Sequence, residues 1–510
     1  MKGLLGMAMK TERYAGVNKI NHHIWENRFC GTMAPLFSLA SPYGIGDMGK
    51  GAEEFITWLH NTGQSVWQLL PLGPTGAGNS PYQVHSSAAG DPIYIDLEDF
   101  EQRGWLKRYE LERAYMSYGP IDYKRVRENK NVLLHLAYDR AKQEYLPIIE
   151  EALERIPWLW DYCIYRGLKK TGKTMVSKMG NESRDEFIKR SGISKVDILR
   201  TAFLQVIWLE QWQKLKSFAN SKSIYLMGDL PIYISPDSVE LWSTPELFET
   251  DGQGMLTKVG GCPPDAFTSE GQLWGNPLYR WSVHQDEDYR WWGNRLKQQW
   301  QLYDLVRIDH FRGLNDYWAI PIEAETAKEG WWEKGPGIDL FNALESRFGK
   351  VPLVAEDLGF LTEEVHSLRR ESGLPGMKVL QFAFYDEDSI YLPHNYEPHT
   401  LVYTGTHDNT TTLDWYRSLD SIAKKRVDSY VNPGGSISEA MIRVALTSVA
   451  KGAIIPLADW LNLGSEGRIN EPGKASGQWR WRMERNALRE LDFTKYKELI
   501  TISGRGNIYK

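Results

Sequence analysis

The sequence predicts a (β/α)8 barrel with a helical insertion and long active-site loops. Three observations carry that reading. Eight short β-rich runs each end in a polar residue or a Gly/Pro turn, and helical patterns lie between most of them. The chain, at 510 residues, is also long enough for such a barrel with sizeable insertions. The runs fall at 32–37, 65–70, 223–228, 303–308, 351–355, 377–384, 400–404 and 452–457.

After the first run, Asp47 stands as the cap of a helix. Its Ala52, Phe55, Ile56 and Leu59 follow i, i+3, i+4, i+7, and Gly63 is its stop. Residues 71–222 separate the second run from the third. Much of that stretch reads as amphipathic helix, notably 132–156 and 198–218. Past Glu356, Thr362 caps a helix with Glu363 and Glu364 in its first turn and Arg369 and Arg370 near its end, charges that complement the helix dipole. The expected organisation is an N-terminal leader over 1–27, a first part of the barrel over 28–98 and a mainly helical insertion over 99–205. The rest of the barrel follows over 206–510. Within it, 251–277 is rich in Gly and Pro and poor in periodicity, and reads as a lid loop without secondary structure of its own.

Composition narrows the function classes. Apolar residues at 42% and charged residues at 25% are ordinary globular usage, which argues against bulk disorder. Lys plus Arg number 60 against 66 Asp plus Glu, and no basic block concentrates them, so a nucleic-acid partner is disfavoured. Cys30, Cys163 and Cys262 lie far apart, a pattern of reducing compartments rather than of a disulfide framework or a zinc site. No apolar run is long enough to span a membrane. The start faintly resembles a signal peptide, but its short apolar stretch meets Lys10, Glu12 and Arg13 with no small-residue cleavage site. The expected location is the cytoplasm. Aromatic residues are abundant (21 Trp, 26 Tyr, 16 Phe), and such rings suit either sugar C–H faces or a large core, of which the core is the simpler reading.

Gly44-Ile45-Gly46-Asp47-Met48-Gly49 satisfies G-x-G-x-x-G. Gly51 stands where a phosphate loop needs Ser or Thr, however, and the next strand lacks the acidic residue of a dinucleotide site. A tight glycine turn between strand and helix is the reading adopted. The eleven histidines form no H-E-x-x-H, and there is no G-x-S-x-G elbow. Carboxylates remain as the chemical groups, and no metal or cofactor is expected.

Asp229, Asp309, Glu356 and Asp408 each follow the C-terminal end of a β-run, where the chemistry of a barrel sits. Any one alone could be a helix cap. Crowded at one mouth, like charges cost energy unless used or paired, which makes the cluster a functional candidate. Arg307 lies two residues before Asp309, so a strand points both to one face. A guanidinium there lowers a carboxyl pKa, as a nucleophile needs, although a plain salt bridge has the same spacing. Glu356 follows an apolar run, which raises a carboxyl pKa and suits a general acid. One ionised and one protonated carboxylate is the pairing of a retaining glycosidase.

At this point the sequence resembles the amylomaltases, the 4-α-glucanotransferase branch of the α-amylase superfamily. The likeness runs from about Phe29 to Arg482. It rests on Ser41-Pro42-Tyr43-Gly44-Ile45-Gly46-Asp47, Ser80-Pro81-Tyr82-Gln83, Gly228-Asp229-Leu230-Pro231-Ile232-Tyr233 and Gly261-Cys262-Pro263-Pro264-Asp265-Ala266-Phe267. It continues through Gly271-Gln272-Leu273-Trp274-Gly275-Asn276-Pro277, Arg307-Ile308-Asp309-His310-Phe311-Arg312-Gly313, Ala355-Glu356-Asp357-Leu358-Gly359 and Tyr403-Thr404-Gly405-Thr406-His407-Asp408-Asn409. The resemblance implies Asp309 as nucleophile, Glu356 as acid/base and Asp408 as the carboxylate that grips sugar hydroxyls. It also implies that Arg307, His310 and His407 orient the reacting glucose, with Tyr82 as an aromatic platform, Asp229 in support, and Trp274 on the lid near the acceptor. The implied partners are maltooligosaccharides and amylose- or starch-type glucans, with glucose as an acceptor. Ala458-Asp459-Trp460 and Gly477-Gln478-Trp479-Arg480 depart from the family's usual residues and leave the acceptor side less defined. An α-glucan hydrolase with the same carboxylates is the alternative activity. A glucan-binding protein without catalysis is disfavoured because Asp309 and Glu356 are both present.

Overall fold

The structure, a computed structural model, describes residues 24–172, 182–264, 269–359, 361–474 and 476–506. Residues 1–23 of the expected leader, and 265–268 of the expected lid, lie outside them.

Eight parallel strands form the barrel: β1 (Phe29–Met33), β2 (Val66–Gln68), β3 (Tyr225–Pro231), β4 (Leu305–Asp309), β5 (Leu353–Ala355), β6 (Gly376–Val379), β7 (Thr400–Tyr403) and β8 (Gly452–Pro456). Their order is β6-β7-β8-β1-β2-β3-β4-β5, and Ala355 N–H donates to Pro375 O at 2.9 Å where β5 meets β6. All eight expected strands are present. β1 begins and ends earlier than its expected run, because Phe29 and Cys30 are fully buried and Pro35 cannot donate to a ladder.

Side chains alternate along each strand, and one set fills the barrel interior: Phe29, Met33, Val66, Tyr225, Met227, Leu305, Val354, Met377, Val379, Leu401, Tyr403 and Ile454. Two residues beyond Met227 lies Asp229. Two beyond Leu305 lies Arg307, then Asp309, and two beyond Val354 lies Glu356. The period that packs the core therefore points these charges into the mouth.

The helix Lys50–Asn61 buries Ala52, Phe55, Ile56 and Leu59 as its spacing implies. Its cap is Gly49 rather than Asp47. Asp47 is instead buried, accepting from Ser41 Oγ at 2.7 Å and Gly49 N at 3.2 Å, with Lys130 Nζ at 3.9 Å. The glycines of this turn answer to close packing. A Cβ at Gly46 or Gly51 would lie 1.9 Å from the carbonyl oxygens of Leu36 and Ala40.

Between β2 and β3 the chain is helical, dominated by Tyr123–Arg155, Leu159–Thr171 and Lys195–Ser221, which pack on one another. The last runs straight on toward β3, so position 205 falls inside a helix. Ile24, inside the expected leader, is 1% exposed and joins the barrel-interior cluster.

The segment expected as a loop without secondary structure is not one. Lys258–Cys262 and Gln272–Pro277 are strands of a four-stranded antiparallel sheet, ordered Gln272–Pro277, Lys258–Cys262, Asp316–Pro321, Trp331–Lys334. The register shifts between Gly260 and Gly261, and that bulge breaks the alternation a sequence reading looks for.

Candidate active site

Arg307 organises the floor of the mouth. It is 4% exposed, and its Nη1 donates to Asp229 Oδ1 at 2.7 Å and Oδ2 at 2.8 Å while lying 2.9 Å from Asp309 Oδ1. Asp229 also accepts from Tyr82 Oη at 2.6 Å. The Tyr82 ring in turn stacks on buried His407, centroids 5.1 Å apart and planes at 15°. His407 Nε2 lies 3.4 Å from Asp408 Oδ2. Asp408 is exposed, and a hydrogen bond from Asn470 Nδ2 at 2.7 Å holds its other oxygen.

Glu356 belongs to a second set. Its Oε2 accepts from the backbone N–H of His310 at 2.6 Å and its Oε1 from that of Leu358 at 3.2 Å. His310 has φ +53°, a left-handed conformation uncommon for a non-glycine residue, and it aims its N–H at Glu356. The Trp274 and His310 rings stand at 89° to each other with centroids 4.9 Å apart. Trp274 sits on the strand Gln272–Pro277, so the antiparallel sheet reaches the site through it.

Burial dominates the electrostatics. It pushes the Glu356 carboxyl up to about 8, against the pull of Arg307. It also pushes Asp309 up to about 6, only partly offset by Arg307 and reinforced by the like charge of Asp229. The expected lowering of Asp309 by Arg307 is thus overturned: Asp229 shares the same guanidinium nitrogen through both of its oxygens, and desolvation outweighs what remains. The order of the pair survives, with Asp309 ionising before Glu356, because the ion pair to Arg307 is made by Asp309. Burial lowers His310 to about 4, which leaves its imidazole neutral at pH 7.

Residues 34–488 match the family described as 4-alpha-glucanotransferase, glycoside hydrolase family 77. The chain belongs to that family. Among 4-alpha-glucanotransferases, it is 40% identical to that of Aquifex aeolicus over 94% of this chain and 99% of the relative. It is 42% identical to that of Thermus thermophilus over 88% and 93%. In structure it is similar to an amylomaltase from Streptococcus agalactiae in complex with acarbose. That match has a TM-score of 0.90 at 33% identity, covering 94% of this chain and 100% of the other. Membership in the family fits the barrel and the carboxylate cluster described above.

The structure gathers the nine residues singled out from the sequence into two sets. Tyr82, Asp229, Arg307, Asp309, His407 and Asp408 are linked in one, and Glu356, His310 and Trp274 in the other. Sequence reasoning missed Asn470, whose contact with Asp408 joins positions 62 residues apart. It also passed over Trp479, buried and 6.0 Å by ring centroid from both Tyr82 and His407. The Trp in Gly477-Gln478-Trp479 was the available signal. For Asn470 nothing local marked the role.

Proposed function

We propose that this chain transfers α-1,4-glucan segments by a retaining double displacement, with Asp309 as nucleophile and Glu356 as acid/base. The observation that carries the reading is the contrast between the two carboxylates. Asp309 lies 2.9 Å from a buried guanidinium nitrogen, while burial pushes the Glu356 carboxyl up to about 8 against the pull of Arg307 and of the backbone N–H groups its oxygens accept. One is held for negative charge and the other tolerates a proton at neutral pH.

In the first step Glu356 gives its proton to the glycosidic oxygen as that oxygen leaves C1. An Asp309 oxygen bonds to C1, and the shortened chain departs with a free 4-hydroxyl. In the second step the Glu356 carboxylate takes the proton of an acceptor 4-hydroxyl, the acceptor oxygen bonds to C1, and the ester to Asp309 breaks. Retention at C1 follows from two inversions. Asp408, exposed and held by Asn470, grips sugar hydroxyls as charge develops. Arg307, His310 and His407 orient the glucose at the reacting centre, Tyr82 offers its ring as a platform, and Asp229 supports both Arg307 and Tyr82.

The acceptor is another glucan or glucose, and neither nucleic acid nor membrane takes part. Among the described residues no helix is long and apolar enough to cross a membrane. The scatter of Cys30, Cys163 and Cys262 supports a cytoplasmic location. The 251–277 segment acts as a lid on the acceptor side: Trp274 touches His310 and restricts water at the ester. Incubation with maltotriose tests the reading. Longer oligosaccharides together with glucose are the expected products, and simple shortening would make the chain a hydrolase.

A further inference from the structure

Around most of the barrel, backbone ladders join neighbouring strands, and the join of β5 to β6 is built differently. Ala355 N–H donates to Pro375 O at 2.9 Å. One step further along, the partner of Met377 N–H is no backbone carbonyl. It is the carboxylate of Asp357, whose Oδ1 accepts at 2.6 Å. Asp357 is 3% exposed, and its Oδ2 lies 3.2 Å from Arg369 Nε on the helix Glu363–Glu371. Position 376 leaves room for this: a Cβ on Gly376 would lie 2.4 Å from Asp357 Oδ2, inside any allowed contact. A side chain has replaced the ladder where the barrel closes.

The residue on one side of Asp357 is Glu356. The residue on the other is Leu358, whose N–H donates to Glu356 Oε1. Asp357 therefore pins the middle of a tripeptide whose two ends make one of the bonds that aim the Glu356 carboxyl.

We propose that Asp357 is a positioning residue for the acid/base function of Glu356, anchoring the Glu356–Leu358 turn to β6 across the barrel seam. This rests on Glu356 being the acid/base. A group that must reach the glycosidic oxygen loses efficiency with sub-ångström displacement, and Asp357 supplies the hydrogen bond that ties this turn to β6.

The charges around the turn set a second consequence. Asp309 and Arg307 face Glu356 from β4. Arg369 from its helix and Lys378 from β6 face Asp357, and Glu397 faces it through Arg369. The like charge of Asp357 opposes ionisation of Glu356, and replacing it by a neutral side chain removes that opposition.

The test uses the full chain with two donors, maltotriose and α-maltosyl fluoride, whose leaving fluoride needs no proton. Single-turnover release is measured for each. Asp357→Ala, which leaves Met377 N–H without its acceptor, is expected to slow release from maltotriose by about 10²-fold and release of fluoride by less than about 3-fold. The alkaline limb of its maltotriose pH profile is expected to move down. Equal losses on both donors would make Asp357 merely structural and overturn the proposal. Should Asp357→Ala not fold, Asp357→Asn, which keeps an acceptor for Met377 N–H but turns an amide N–H toward Arg369, is read against the same two donors. Glu356→Gln run alongside separates the two ideas. If it too fails to spare the fluoride donor, the acid/base reading itself falls. If it spares fluoride while Asp357→Ala does not, only the positioning role falls.

Discussion

The two sides of the mouth are built on different principles. Asp229, Arg307, Asp309 and Glu356 extend the inward-facing rows of β3, β4 and β5, so ladders and core packing beneath them set where they point. Asp408, Asn470 and Trp479 come from loops and Trp274 from the antiparallel sheet; Asn470 holds Asp408, and Trp479 N–H donates to Ile469 O at 2.8 Å. Asp408 is exposed, whereas Asp229 and Arg307 are nearly inaccessible. The comparison teaches a division. Under the proposed mechanism, the groups assigned to the reacting atoms stand at the ends of barrel strands with the ion pair beneath them, and those assigned to the sugar and its acceptor stand on the segments added around the barrel.

The largest effect should come from the barrel side. Asp309→Ala should lower turnover by at least about 10⁴-fold with an unchanged circular-dichroism spectrum, since a covalent route loses its nucleophile. A residual rate within tenfold of the parent would break the comparison.

Arg307→Met should act on stability as well. It strands Asp229 and Asp309 without their buried partner, and urea unfolding at pH 7 should show a loss of about 3–5 kcal/mol. A loss below about 1 kcal/mol would mean that water already pairs those carboxylates.

On the loop side, Asp408→Asn should cost about 10²–10³-fold in kcat while leaving the urea midpoint unchanged, because the residue is exposed and acts on the transition state. Asn470→Ala should reproduce a smaller part of that loss.

The pH dependence of kcat/KM bears chiefly on the barrel side. Below about 6 Asp309 takes up a proton and stops being a nucleophile, and above about 8 Glu356 gives up the proton that the leaving oxygen needs. Rate should rise through the first value and fall through the second, both belonging to the interacting pair. Asp408→Asn should move the acid limb down, because the like charge of Asp408 also raises Asp309, and leave the alkaline limb in place.

The smallest effect falls on partition. Trp274→Ala should raise the hydrolysis-to-transfer ratio a few-fold, read as glucose and shortened chains against longer ones, with little change in total cleavage. An unchanged ratio would remove the sheet from the acceptor side.

Much of this was legible in local pattern. Short apolar runs ending in polar residues located the barrel strands, since strands buried on both faces must be apolar along their length. The two-residue spacing of Arg307 and Asp309 already put both on one face, and Glu356 stood at the end of its apolar run. Other features depend on how distant segments meet. The bulge at Gly260–Gly261 hid two strands, because broken alternation carries no period. Asn470 reaches Asp408, and Trp479 reaches Tyr82 and His407, across a fold that no window of sequence spans. Even the sign of the Asp309 shift was a tertiary matter. Spacing shows a neighbouring guanidinium, but only the folded chain shows Asp229 on the same nitrogen and how little water reaches Arg307. The sequence by itself determined which groups face the mouth, through backbone periodicity. The tertiary structure decided their partners and protonation, because ion pairing and desolvation are sums over everything packed nearby.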